Sequence, residues 1–410
     1  MKIANLVLQA AAAGIVSALL TMLNPSSAVA ATYSCGTPDA NHCYGQVEWI
    51  DRTEIFGVST TLSPVNLYCN SCDGFVDDEM WLADINTPKC QTNKFEACWV
   101  EVGFERLQGR KNTDFFWADV RPGHGFSEHW LGAINGVTDD LQLLVVKDTS
   151  QSATSTTFLV VVADASLNAV VLHSGKSTKN TMVATSQTIG QELYGSHGSA
   201  ADPEIFQHIQ ASHSANQLAV AGALIDRSNG GSVTDDSPPL GAWLVTPATL
   251  PSGAIQPGAF VTACCDQASP TPFSATIPVR RTMELRQIRP LLSQYHPSTG
   301  IEALQAPSRE ERLARVQVER FLASQTSLGR VTPHGARVAR LEFLTASAAS
   351  DKLDGLDVGL SGAAPVVVAT LSGTFDVSGP KGSKGATYSK AQAVFDARSG
   401  NLLTISMPAS

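Results

Sequence analysis

The residues with the most chemistry to offer lie between Glu79 and Trp130, where Trp81, Trp99, Trp117 and Trp130 stand among acids. From Ala97 to Phe104 the side chains of an extended strand alternate between two faces. Cys98, Val100, Val102 and Phe104 then share an apolar side, while Trp99, Glu101 and Gly103 share the other. A carboxyl group shielded by an indole, next to a glycine gap, suits general acid or base catalysis. Thr113 to Arg121 repeats the pattern, with Phe116, Ala118 and Val120 on one side and Phe115, Trp117, Asp119 and Arg121 on the other. The expectation is one sheet with an apolar back and an aromatic, acidic front: Trp81, Trp99, Phe115, Trp117, Asp119 and Trp130 around Glu101. The same front also suits a second class of function, a glycan- or peptide-binding face, with rings stacking on the ligand and acids bonding its hydroxyls. Glu101 discriminates between the two, because catalysis needs its carboxyl group and binding needs mainly the rings. A third class, an envelope or matrix protein without a ligand, needs neither.

Other familiar sites are absent by spacing. Gly175-Lys176-Ser177 has Val170 where a phosphate loop needs its first glycine. The run His124 to His129 lacks the intervals of a zinc helix. Gly195 to Ser199 is not a nucleophile elbow, and Asp351, Asp354 and Asp357 do not follow the calcium-loop pattern. No metal and no cofactor is expected.

The elements that must position the front are β-strands. Thr32 to Ala275 contains short apolar or β-branched runs at Gln46 to Ile50, Leu141 to Val146, Phe158 to Ala163, Leu218 to Ile225, Ala242 to Val245 and Ala259 to Ala263. Turn-forming residues separate them, which predicts a mainly β fold with an antiparallel β-sandwich over 32–275, of the concanavalin or jelly-roll type. Pro203 to Gln210 is expected to form a short helical turn. A proline-rich linker follows at 276–307. Residues 308–410 read as a small α+β domain, one helix on three or four antiparallel strands, opened by the capping-box pattern Ser308-Arg309-Glu310-Glu311. Its strands are expected at Arg337 to Thr345, Pro365 to Val377, Ala391 to Asp396 and Asn401 to Ser406.

Residues 1–30 read as a secretion signal, with Lys2, an apolar run and an Ala28-Val29-Ala30 cleavage site; an uncleaved anchor is the alternative. No later segment is expected to span a membrane, so the mature chain is placed outside the cell or in its envelope. All 8 cysteines lie beyond this segment, so disulfides are expected. Spacing pairs Cys35 with Cys43, Cys69 with Cys72 and Cys90 with Cys98, and leaves Cys264 and Cys265 to bridge each other or pair elsewhere. A zinc site from Cys69, Cys72, Cys90 and Cys98 is the competing arrangement. The net charge of -9 disfavours a nucleic-acid partner.

Two resemblances add to this. Val394-Phe395-Asp396-Ala397-Arg398-Ser399-Gly400-Asn401 is similar to the strand-turn-strand ending of the PepSY-like family, whose members include inhibitory segments of secreted peptidases. The order Met80-Trp81-Leu82, Val100-Glu101-Val102-Gly103, Phe115 to Trp130 and Ser186-Gln187-Thr188-Ile189 resembles the secreted glutamic peptidases of the eqolisin type. That resemblance covers residues 44–225 and implies an acid endopeptidase acting on peptides. At the family's catalytic glutamine stands Glu101, and at its glutamate stands Gln187, with Glu192 a few residues on. An exchanged pair is thereby implied, with Glu101 as acid or base and Gln187 as oxyanion stabiliser.

Overall fold

The computed structural model describes residues 42–51, 53–62, 66–69, 72, 74–91, 94–134, 140–148, 156–164, 170–180, 182–194, 200–202, 204–214, 217–220, 231–235, 243–249, 255–264, 297–305, 313–379 and 385–408. The expected signal segment, Cys35, Cys265 and most of the expected linker lie outside them. In chain order the elements are β1 (His42–Ile50), β2 (Gly57–Leu62), β3 (Leu67–Tyr68), β4 (Phe75–Asp84), α1 (Pro88–Gln91), β5 (Cys98–Leu107), β6 (Asp114–Val120), β7 (Phe126–Ala133), β8 (Leu141–Asp148), β9 (Thr156–Asp164), β10 (Val170–Asn180) and β11 (Ser186–Tyr194). There follow β12 (Ala200–Ala201), β13 (Glu204–Ser214), β14 (Gln217–Val220), β15 (Gly231–Asp235), β16 (Trp243–Thr249), β17 (Ile255–Cys264), α2 (Arg315–Ser324), β18 (Val331–Thr345), α3 (Ala346–Lys352), β19 (Pro365–Val377), β20 (Ala386–Asp396) and β21 (Leu402–Ser406). The fold is mainly β, as expected. No helix among the described residues is long and apolar enough to cross a membrane.

The strands form two large antiparallel sheets. The first has 11 strands in the order β15-β1-β11-β4-β5-β6-β7-β21-β20-β19-β18, and the second runs β10-β9-β8-β2-β13-β17-β16, with β14 on β13. Three neighbouring strands show why the first sheet is buried on both faces. Met80 and Leu82 of β4, Val100, Val102 and Phe104 of β5, and Phe115 and Trp117 of β6 pack with Leu143, Val145, Val160 and Val162 of the second sheet. Their neighbours of opposite parity, Trp81, Trp99, Phe116 and Ala118, pack instead with Leu313, Phe321, Val331, Phe375 and Ile405 from the C-terminal part. Each of these strands therefore supplies two cores at once, which accounts for the unbroken burial of β4 and β6.

The C-terminal strands continue the first sheet through the pairing of β21 with β7, Ile405 lying opposite Glu128. Residues between the two parts stitch the same seam, with Thr299 N–H donating to Leu131 O at 3.0 Å and Ile301 N–H to Leu402 O at 2.9 Å. Three local expectations are corrected. Residues 204–210 belong to the strand β13, not to a helical turn, and pair with β17 and β2 around an irregularity between Gln207 and Gln210. The capping box expected at Ser308 to Glu311 lies outside the described residues; the described helix α2 begins only at Arg315, after a non-helical Leu313 and Ala314, with the Gln317 side chain accepting from Ala314 N–H at 2.8 Å. A further helix, α3, packs on the outer face of β19 and β20 through Ala346 and Ala349 against Val366, Val368 and Val394.

Candidate active site

Side chains directly opposite each other in antiparallel strands point to the same face. The register of the first sheet therefore aligns three rows on the face turned towards the C-terminal part. One row reads Tyr44, Glu192, Asp77, Glu105 and Asp114 across β1, β11, β4, β5 and β6. The next reads Gln46, Gly190, Glu79, Gly103, Phe116 and Trp130. The third reads Thr188, Trp81, Glu101, Ala118 and Glu128. Glycines on both sides of Glu79 leave its carboxyl group without side-chain neighbours in its own row. Asp77, Glu79, Glu101, Glu105, Glu128 and Glu192 are all buried, at 1% exposure or less.

A guanidinium enters this acid centre from the C-terminal part. Leu328 and Val331 close a tight turn by exchanging backbone hydrogen bonds of 2.7 and 2.9 Å, and Gly329 and Arg330 form its tip. Arg330 Nη2 lies 2.6 Å from Glu79 Oε2, 2.8 Å from Glu101 Oε1, 2.8 Å from Glu192 Oε2 and 3.8 Å from Asp77 Oδ2. Its backbone N–H donates to Glu128 Oε2 at 3.0 Å, and its carbonyl accepts from Ser378 N–H at 2.9 Å. The guanidinium also stands over the Phe75 ring, 5.4 Å from its centroid. Gly329 has φ +54, and a Cβ there would sit 1.9 Å from Glu128 Oε1. Only glycine lets the tip approach so closely.

The electrostatics follow from removing this many charges from water. Burial raises the pKa of Asp77, and Glu192 raises it further against the opposing pull of Arg330. Burial likewise raises Glu79, followed by Asp77 and Glu101, again with Arg330 opposing. Glu128 is raised by burial and then by Glu105. Glu105 is pushed up to about 8 by burial, although its Oε1 accepts a 2.6 Å hydrogen bond from Trp130 Nε1–H. Burial alone would lower Arg330, but Glu101, Glu192 and Glu79 outweigh it and hold the guanidinium charged. Ligand atoms of Asp77, Glu79 and Glu101 lie within 4.8 Å of one another, a spacing that suits a single bound cation, and Arg330 supplies the cationic group there.

The structure brings some of the sequence-predicted residues together and separates others. Trp81, Trp99 and Trp130 share the acid face with Glu101. Phe115, Trp117 and Asp119 lie on the opposite face, because the register sets Glu101 against Ala118 and Val102 against Trp117. The run Asp114–Val120 carries bulky apolar residues at both parities, so alternation alone does not decide which side is the front. On that reverse face Trp117 stacks on His129 with centroids 3.6 Å apart, and Asp119 accepts from Ser177 Oγ–H at 2.6 Å and faces Arg121 at 3.6 Å. Gln187 pairs with Leu82 and Trp49 on the reverse face, whereas Glu192 pairs with Asp77 on the acid face. Glu101 and Gln187 therefore do not meet.

Cys69 and Cys72 form one disulfide and Cys90 and Cys98 another, in place of the zinc arrangement. Cys43 and Cys264 lie in β1 and β17, and the expected pairings of Cys35 with Cys43 and of Cys264 with Cys265 fall outside the described residues and side chains. Sequence reasoning missed Asp77, Glu79, Glu105, Glu128 and Arg330. Alternation extended through β4 would have found Asp77 and Glu79, which share the parity of Trp81. Arg330 stands 229 residues from Glu101 and carries no local signal of its role.

No protein-family model matches the chain, and no curated protein matches it. Among solved structures it is similar to scytalido-glutamic peptidase with a transition state analog inhibitor, at 11% identity and a TM-score of 0.36, covering 57% of this chain and 100% of that one. It is also similar to SCP-B, a member of the Eqolisin family of peptidases in a complex with the tripeptide Ala-Ile-His, at 11% identity and a TM-score of 0.33, with the same coverage. The structural neighbours of this chain are thus glutamic peptidases of the eqolisin type.

Proposed function

We propose that this protein is an exported acid peptidase whose catalytic pair is two carboxyl groups on one sheet face, with Glu101 as the base and Glu79 as the acid. The observation that supports this reading is the convergence of Glu79, Glu101 and Asp77, with ligand atoms within 4.8 Å of one another in a buried setting. Carboxyl groups this close repel one another when ionised, which favours a proton on one of them once the guanidinium is withdrawn. Glu79, whose pKa burial and its acidic neighbours raise, suits the proton-holding role.

In the proposed reaction the Glu101 carboxylate takes a proton from water as the water oxygen attacks the peptide carbonyl carbon. The Glu79 carboxyl donates its proton to the carbonyl oxygen, and a neutral gem-diol results. Glu101 then returns its proton to the amide nitrogen while Glu79 takes one from a diol hydroxyl; the C–N bond breaks, leaving an acid and an amine. The side-chain amide of Gln187 is not required, because a protonated carboxyl group can stabilise the developing oxyanion by hydrogen bonding.

The test is cleavage of a mixed peptide library by the full chain from strong acid to neutral. Cleavage confined to acid, reduced at least about 100-fold in Glu101→Gln and in Glu79→Gln, is the expected result. Cleavage that survives both substitutions would overturn the assignment.

A further inference from the structure

The acid centre is occupied by a group from its own chain, and the occupant is built like a ligand. Arg330 is 1% exposed and sits at the tip of a turn that no side chain at residue 329 could form without striking Glu128. Its contacts combine a guanidinium on carboxylates with a backbone N–H on a carboxylate, the two features by which a site recognises an arginine within a peptide strand. The fit is incomplete on both sides. Both oxygens of Asp77, Glu101 Oε2, and Arg330 Nε and Nη1 are buried with no hydrogen-bond partner among the described residues. A centre with spare acceptors held against a guanidinium with spare donors is a recognition site occupied by a tethered group, more than a fully satisfied structural ion pair.

We propose that the acid centre is a binding site for arginine-bearing peptide, and that the Gly329–Arg330 tip is its built-in ligand, keeping the centre closed until a peptide of the same chemistry replaces it. The proposal rests on reading the acid face as the functional centre, and it names the substrate class and the regulation of that face. Among the described residues the charged or titratable groups facing Arg330 are acidic or phenolic: Tyr44 from β1, Asp77 and Glu79 from β4, Glu101 and Glu105 from β5, Glu128 from β7 and Glu192 from β11. Acid removes negative charge from those of the carboxyl groups that are ionised at neutral pH and leaves the guanidinium charged, so the tip is released as pH falls. Closure at neutral pH and opening in acid place the exposed site under the conditions in which a proton-holding pair works.

The test uses the full chain and its Arg330→Ala variant, titrated calorimetrically at pH 6 with the blocked pentapeptide acetyl-Ser-Leu-Gly-Arg-Val-amide and with its citrulline counterpart. A tethered ligand competes at an effective concentration of about millimolar or higher, so Arg330→Ala should bind the arginine peptide at least about 100-fold more tightly than the unmodified chain does. It should also prefer arginine over citrulline by at least about tenfold, because citrulline keeps the shape and loses the charge. A folded Arg330→Ala that binds neither peptide, or both equally, overturns the proposal. Hydrogen exchange on the unmodified chain covers the case in which the variant does not fold. After correction for intrinsic rates, the amides of residues 328–331 should lose protection between pH 7 and 4 while β19 keeps its own. Loss only together with β19 overturns the proposal. Arginine peptide that binds but is never cut would leave this inference standing and remove the peptidase reading. Cleavage with no preference for arginine would do the reverse.

Discussion

At Gly329 a hydrogen atom in place of a side chain decides whether the C-terminal part reaches the acid centre. The position combines φ +54 with a hypothetical Cβ 1.9 Å from a carboxylate oxygen, so Gly329→Ala should destabilise the chain by about 2–4 kcal/mol in urea titration. Gly362→Ala makes the comparison: a Cβ there meets nothing closer than Ser347 Cβ at 3.6 Å, and it should change stability by less than about 0.5 kcal/mol. Glu105 gives a residue-level pH prediction. Its carboxyl group titrates at about 8 in the folded chain. In the unfolded chain it titrates near the ordinary value of about 4.3, so the folded state binds the extra proton between these two values. Stability from this group is fully present below the lower value and is lost as pH rises towards the upper one. Glu105→Gln should therefore gain about 2–4 kcal/mol relative to the unmodified chain on going from pH 4 to pH 8, read from parallel urea titrations.

At the scale of the element, alternation in β5 was legible because its two faces differ in kind: Val100 and Val102 enter the core between the sheets, and Trp99 and Glu101 turn to the acid face. In β6 it was not, since Phe115, Phe116 and Trp117 are consecutive aromatics and only pairing with β5 tells their faces apart. The same limit applies to Gln187, whose polar character suggests a surface role while its register buries it between the sheets. The Pro365–Val377 strand was readable to the residue, because in sequence its β-branched run is flanked by Gly, Ser and Pro on both sides. Helix α3 was missed because its Ala-Ser sequence lacks an apolar stripe, and its start depends on Thr345, whose Oγ1 accepts from Ala348 N–H at 3.2 Å. Thr345→Ala should cost about 1 kcal/mol in thermal or urea unfolding, with no change in peptide binding at the acid centre.

At the scale of the molecule, the acid face is covered by residues that lie far along the chain. Trp81, Trp99 and Trp130 share a core with Phe321, Val331 and Phe375, and one sheet runs through β7 and β21 into β18. A shared core of this kind predicts one cooperative unfolding transition by calorimetry at neutral pH, coincident with loss of the near-ultraviolet tryptophan signal. Two separate domains would give two transitions.

The pairing of β21 with β7 also sets an order of events during synthesis. Thr404 Oγ–H donates to Glu128 O at 2.6 Å across 276 residues of chain. At about 5–20 residues per second the ribosome needs roughly 14–55 s to make that length, against microseconds for a neighbouring hairpin to close. The edge of β7 stands open throughout that interval, with its backbone groups free to template another strand. Crowded copies of the nascent chain are therefore most exposed to mispairing at Phe126–Ala133, and a holdase that covers this edge would raise the yield of folded protein more than one acting on the second sheet.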